Sequence, residues 1–161
     1  MSWSRRAVLI LPAALAACGF APVYGPGGSG GKLQNKVRTA DPKTPDDFAF
    51  AGRIMERLGP DQAAAYELDW QLRVAVVAQA ITPDEITTRY SLNGTASYAL
   101  TDMANRRAVA RGQVSSFTSY STTGTTIATM AAEQDAHERL ARLLADEVVT
   151  RLLALDPAQF G

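Results

Sequence analysis

The residues of this chain with chemistry to offer are one histidine, a run of serines and threonines, and a scatter of arginines. His137 lies within Glu133-Gln134-Asp135-Ala136-His137-Glu138. A metal centre there would pair the imidazole with Glu133 or Asp135 and would need further ligands that the sequence does not supply. A solvated helix face with local charge pairs accounts for the same letters, so neither a metal nor a cofactor is expected. The hydroxyl run from Ser115 to Thr126 includes Ser116, Ser119, Ser121 and Thr122. A serine nucleophile needs a positioned base, and no G-x-S-x-G turn surrounds any of them. Gly124-Thr125-Thr126 could hold an anion at the start of a helix, although a strand end followed by a helix cap explains it equally simply. With no lysine-bearing phosphate loop either, no catalytic residue and no enzyme activity are expected.

The arginines call for a geometric reading. On a strand with period-2 alternation, Arg73, Arg89 and Arg111 fall on the polar side, and Arg106 and Arg107 sit at a hairpin tip. Guanidinium groups on one face could grip phosphates in bidentate fashion. Glu67 and Asp69 share that face, so an ordinary solvated surface of mixed charge is the competing account. The whole chain has 16 basic and 16 acidic residues. That balance gives no long-range attraction for nucleic acid, and any anionic ligand must use a local patch.

Cys18 is the only cysteine of the 161 residues, which excludes a disulfide within one molecule. It follows a run with the three parts of an export signal. Arg5 and Arg6 give a positive start, Ala7 to Leu15 an apolar stretch too short to span a bilayer, and Leu15-Ala16-Ala17 a small-residue approach. Leu15-Ala16-Ala17-Cys18 resembles the lipobox of bacterial lipoproteins, which implies cleavage between Ala17 and Cys18 and lipid modification of Cys18. Acylation by more than one chain gives stable membrane anchoring, at about 0.8 kcal/mol for each buried methylene. Ser4-Arg5-Arg6-Ala7-Val8-Leu9 also looks like a twin-arginine export motif, and an ordinary secretory signal fits it as well. In such lipoproteins Gly19, rather than an aspartate, after the cysteine favours the outer membrane. Loss of the two signal arginines leaves a slightly acidic mature chain.

The elements that must position these residues follow from periodicity. Residues 1–17 are read as signal, 18–35 as a lipidated start with a flexible Gly25–Gly31 stretch, and 36–161 as a single domain. Thr44-Pro45-Asp46-Asp47 predicts a helix start, with Phe48, Ala51, Met55 and Leu58 at helical spacing and Gly59-Pro60 as the stop. Tyr66 to Gln79 alternates as a long half-buried strand, and Ile86 to Leu100 repeats the pattern after a turn at Thr82-Pro83-Asp84. Putting both apolar sets on one face requires partners of like parity, such as Ile81 with Glu85 and Val76 with Tyr90. A third strand, about Ala108 to Tyr120, follows a tip at Ala104–Arg107. Its alternation switches at Ser115-Ser116, which predicts a bulge or an exposed edge, and one register sets Gly112 opposite Tyr98. Thr126 to Leu155 predicts a long helix with Met130, Ala136, Leu140, Leu143, Leu144, Val148, Leu152 and Leu155 on its apolar stripe. The expected fold is α+β: a two-layer sandwich in which an antiparallel sheet of three to four strands, the fourth near Lys36–Thr39, is packed by two helices.

Three segments of the chain together resemble the alphaproteobacterial form of the LPS-assembly lipoprotein (LptE) family. They are Ala17-Cys18-Gly19-Phe20-Ala21-Pro22-Val23-Tyr24-Gly25, Gly94-Thr95-Ala96-Ser97-Tyr98-Ala99-Leu100-Thr101-Asp102, and Ser116-Phe117-Thr118-Ser119-Tyr120-Ser121 before a helix with Asp135-Ala136. The resemblance implies an outer-membrane lipoprotein that plugs and supports the LptD β-barrel translocon and helps assemble lipopolysaccharide. Arg73, Arg89, Arg111, Arg106 and Arg107 would be its natural phosphate partners. A lipoprotein of another envelope machine, such as barrel folding, would share anchor and fold class, and a periplasmic hydrolase would need a catalytic set that is not evident.

Overall fold

The computed structural model describes residues 22–81, 87–122 and 124–160. The elements run α1 (Ser29–Leu33), β1 (Val37–Thr39), α2 (Pro45–Leu58), β2 (Tyr66–Ile81), β3 (Thr87–Asp102), β4 (Ala108–Ser121) and α3 (Thr126–Leu153). A 3-10 turn at Pro157–Gln159 closes the chain. The strands form one sheet in the order β1-β2-β3-β4. β2, β3 and β4 are an antiparallel meander, while β1 pairs with β2 in parallel. A parallel neighbour needs a crossover connection, and α2 is that connection, so the expected α+β sandwich carries a mixed sheet with β1 as its fourth strand.

Local chemistry sets the helix ends. The Thr44 side chain accepts the Asp47 amide while the Asp47 carboxylate accepts the Thr44 amide, a capping box with Pro45 in the first turn. Asp47 Oδ1 also accepts the Trp70 indole N–H at 3.0 Å, which ties the start of α2 to β2. Gly59, at φ 78, ends the helix as expected. The Thr125 side chain caps α3 by accepting the Ala128 amide.

Both helices lie on one face of the sheet and run in the same direction, cross-linked by Asp46, at the start of α2, with His137 and by Arg53 and Arg57 with Asp146 further along. Between the layers Phe50, Ile54 and Leu58 of α2 meet Leu68, Leu92, Ala96 and Leu100 of the sheet and Leu140, Leu144, Val148 and Leu152 of α3. Each is essentially buried, and each large side chain contributes about 1.5–3 kcal/mol. A close approach falls at Gly94, where a Cβ would lie 2.9 Å from Leu140 Cδ2. A larger residue there would have to push the Leu140 and Leu144 side chains aside.

Several expectations shift by one or two positions. On α2 the buried set is Phe50, Ala51, Ile54 and Leu58, whereas Phe48 and Met55 are exposed. Two interleaved apolar sets fit the same helical period, and only the layer contact chooses between them. Met130 and Leu143 of α3 are likewise exposed, outside the stripe that runs from Ala136 to Leu152, and the helix ends at Leu153 rather than Leu155. Val76 pairs with Leu92, not Tyr90. Like-parity pairing holds, with an irregularity at Ala78–Ala80 and Ile81 opposite Thr87. The predicted turn at Thr82–Asp84, its neighbours Glu85 and Ile86, and the signal and anchor residues from Met1 to Cys18 lie outside the described residues.

β4 is an edge strand with no bulge at Ser115-Ser116, and its irregular pairing occurs instead between Leu100 and Thr101 of β3. Gly112 does face Tyr98, whose ring covers it, and burial pushes the Tyr98 phenol upward from its ordinary pKa against the opposing pull of Arg151. The glycine-rich start is not a free linker. Turns and α1 occupy it, Ser29 is buried and donates its hydroxyl to the Leu153 carbonyl, and a Cβ on Gly28 would collide with the Val23 carbonyl. The glycines permit close packing there.

Two outcomes test this packing. Thr44→Ala should lower unfolding free energy by about 1 kcal/mol through loss of the cap, and Gly94→Val by about 1–3 kcal/mol through overpacking, both read by urea denaturation. Burial raises the Asp47 pKa, but hydrogen bonds from Trp70, Thr44 and the Lys43 and Thr44 amides together outweigh it and hold the group below 3.8. Its stabilising contribution is therefore complete above the ordinary carboxylate pKa and is lost as pH falls through the lowered value. Asp47→Asn should flatten the acid limb of the stability profile.

Candidate functional site

The helices cover one face of the sheet, so the opposite face and the strand edges are the surfaces open to ligands. On that outer face the cross-strand rows read Asp69–Ala99–Arg111, Gln71–Ser97–Gln113, Arg73–Thr95–Ser115 and Ala75–Asn93–Phe117 across β2, β3 and β4. Arg73, Arg89 and Arg111 are exposed, as the alternation predicts, and Arg73 and Arg111 lie in these rows. They do not gather. Six residues of β3 separate the Arg73 row from Arg89, about 20 Å at a strand rise of roughly 3.3 Å, and Arg111 lies about 33 Å from Arg89 on the same measure. Exposed charges more than about 8–10 Å apart are screened from one another, so these guanidinium groups act singly. Arg106 and Arg107 are exposed at the β3–β4 tip, where Arg106, at φ 59, comes within 3.8 Å of Glu67.

One arginine does sit in a formed site. Arg73, Asn93, Thr95, Ser115 and Phe117 line an open groove of about 470 Å³ across the outer face. The Arg73 guanidinium donates to the neutral Gln71 side chain at 3.3 Å, and among the described residues no carboxylate pairs with it. Phe117, on β4 across the same groove, has 73% of its surface exposed. An unneutralised guanidinium, two hydroxyls, a side-chain amide and an aromatic face suit a ligand with an anionic group on a ring or chain that is itself partly apolar. The sequence marked Phe117 as a break in alternation. That break was the signal of an apolar residue on the polar face, and without the register it could not be placed across the groove from Arg73.

The other candidates have structural partners. His137 Nδ1 lies 3.0 Å from Asp46 Oδ2 of α2, so the imidazole bridges helices instead of serving a local charge pair on α3. No group of three metal-ligating side chains occurs among the described residues. In the helix-start segment, Thr125 already satisfies the Ala128 amide. No described helix is long and apolar enough to cross a membrane.

A family profile described as LptE, Lipopolysaccharide-assembly, matches residues 32–152, about three quarters of the chain and every strand of the sheet. The chain belongs to the LptE family. Among solved structures, a candidate lipoprotein from Caulobacter crescentus CB15 superposes with TM-score 0.64 at 20% identity, covering 78% of this chain and 92% of that one. Rare lipoprotein B from Shewanella oneidensis gives 0.55 at 12%, covering 73% and 91%, and a minor lipoprotein from Acinetobacter baumannii gives 0.51 at 13%, covering 74% and 89%. At these identities the likeness is one of fold, and it places this LptE-family chain on the same helix-and-sheet plan. Among curated proteins no relative matches the chain. LptE membership identifies a component of lipopolysaccharide assembly.

Because Phe117 and Arg73 touch little of the core, Phe117→Ala and Arg73→Ala should each leave thermal stability within about 0.5 kcal/mol of the parent. A larger loss in a calorimetric melt would show that the groove is a packing feature.

Proposed function

We propose that this LptE-family chain is an outer-membrane lipoprotein, anchored through Cys18 after removal of Met1–Ala17, that plugs and supports an LptD-type β-barrel and assists lipopolysaccharide into the outer membrane. The observation that carries the ligand half of this reading is that the uncompensated Arg73 and the exposed Phe117 line one outer-face groove. Lipopolysaccharide presents phosphates on sugars next to acyl chains, and the guanidinium and the ring match those two parts. Arg89, Arg111, Arg106 and Arg107 supply separate phosphate contacts along the same face and at its tip.

The dimensions support the partner half. β2 has sixteen residues and spans about 50 Å, while α3, with twenty-eight, spans about 42 Å. The described chain begins at Pro22, next to the segment that packs on the C-terminal end of α3. A lipid on Cys18 would therefore hold the molecule by one end, with the long axis of the sheet free to stand inside a barrel.

Cys18→Ala is expected to leave the domain folded, because anchor and core are separate in sequence, and to release it from the outer-membrane fraction. Unfolding of the purified variant would refute that separation. Arg73→Glu should weaken lipopolysaccharide binding by about tenfold or more, the scale of one charged hydrogen bond, while leaving recovery of the barrel in a mild-detergent pull-down unchanged. Equal loss of both would count against the groove, and recovery of a different barrel from the lipidated protein would assign the chain to another envelope machine.

A further inference from the structure

The hydrogen bonds of β1 reveal which way the backbone of β2 points. The Tyr66 amide donates to the Lys36 carbonyl and the Leu68 carbonyl accepts the Ala40 amide, each at 3.0 Å. Within a strand the N–H and C=O of one residue point to the same side and alternate along the chain. Trp70, Leu72, Val74, Val76 and Ala78 therefore aim both groups at the side that β1 occupies. β1 stops at Thr39, and among the described residues nothing bonds the backbone of Trp70 to Ala78 on that side. This leaves about 30 Å of open sheet edge.

The side chains over this stretch are unusual for an open edge. From Val74 to Ile81 the sequence is Val-Ala-Val-Val-Ala-Gln-Ala-Ile, without a charge or a proline. Val76 on one face is 50% exposed and Val77 on the other 42%, with Ala75, Ala78 and Gln79 exposed around them. Strands that are apolar on both faces normally lie within covered sheets, and soluble proteins protect edges with charges, prolines or short strands. At the opposite edge of this sheet β4 carries the charged Arg111, and near its end Arg139 of α3 donates to the Ser119 carbonyl and the Thr118 hydroxyl.

We infer that the open edge of β2 from Val74 to Ala78, past Arg73, is the seat of an extended, uncharged, apolar segment of the barrel partner, which adds to the sheet in line with β1. Only another extended backbone satisfies a row of alternating donors and acceptors, and apolar faces on both sides call for an apolar strand. The inference rests on the barrel-partner reading above. Strands closed in a barrel have their backbone groups paired already, so the segment comes from a loop or terminal extension of that partner. A second copy is a poor fit. Two copies anchored by the same end would point the same way, whereas a two-fold ladder between identical edges requires opposite directions.

The test uses the lipidated protein and its barrel complex, purified in mild detergent. Hydrogen exchange should show the amides of Val74, Val76 and Ala78 exchanging at least about a hundredfold more slowly in the complex than in the free chain. Val76→Pro removes one outward N–H without touching the β3 ladder, a position where an edge strand accepts proline. It should keep a cooperative melt and lower barrel recovery by about tenfold. A photo-crosslinker at Ala78 should join the barrel protein, and one at Met55 on the far side of α2 should not. Barrel recovery with unchanged exchange and no adduct at Ala78 would overturn the seat and leave the barrel-partner reading intact. Absence of any barrel from the parent complex would overturn that reading itself, and an adduct between two copies would assign the edge to self-association instead.

Discussion

The approach of α3 to the sheet at Gly94 is the constraint on which the other contacts depend. With no side chain there, Leu140 and Leu144 descend onto β3, and the stripe that continues through Val148 to Leu152 closes the core. Once α3 is seated, Asp146 and His137 face α2 and receive Arg53, Arg57 and Asp46. The arginine–Asp146 ion pairs and the His137–Asp46 hydrogen bond are partly exposed and add little stability individually. Their effect is to fix how far α2 slides along α3, which in turn sets Asp47 against the Trp70 indole. A single close contact thus positions the whole helical layer, and by covering one face it dedicates the other to solvent or ligand.

Much of this was legible in the letters. The strands, both long helices, the Thr44 cap and the Gly112–Tyr98 pair follow from period-2 alternation, 3.6-residue spacing and cap chemistry, which are local properties. What was not legible depended on contacts distant in sequence. Phe48 and Met55 satisfy the helical period as well as Phe50 and Ile54 do, and only the sheet decides between them. The glycines near Gly28 looked like a linker because composition cannot show that Val23 and α3 crowd against them. The parallel pairing of β1 is likewise invisible until α2 is seen as a crossover. For the candidate site, face could be read but distance could not. Parity put Arg73, Arg89 and Arg111 on one side, while the length of the strands keeps them apart and leaves Arg73 alone across the groove from Phe117.

That separation bears on how an anionic ligand would be handled. A tight cluster of arginines would bind phosphate strongly and hold it. Single guanidinium groups spaced by more than a screening length offer successive weak sites, each neutral in cost to the fold because each is already exposed. A protein that assists a ligand in transit benefits from sites that release as readily as they bind. The outer face, with hydroxyls and one aromatic between its charges, has that character.

The two edges of the sheet show a complementary division. β4 ends against α3, and Arg139 reaches from that helix to the Ser119 carbonyl, so the chain itself covers this end of the edge. On the other side α2 begins only at the level of Trp70, where Asp47 holds it, and it runs back toward β1. Everything beyond Trp70 on β2 therefore lacks a neighbouring strand, and its inner face at Val76 lacks a covering helix. Extending β1 or starting α2 a turn earlier would have covered this stretch with ordinary sequence. Within the uncovered stretch, past Arg73, charge disappears and both faces become apolar. An open edge whose side chains turn apolar on both faces is the arrangement expected of a surface completed by another protein.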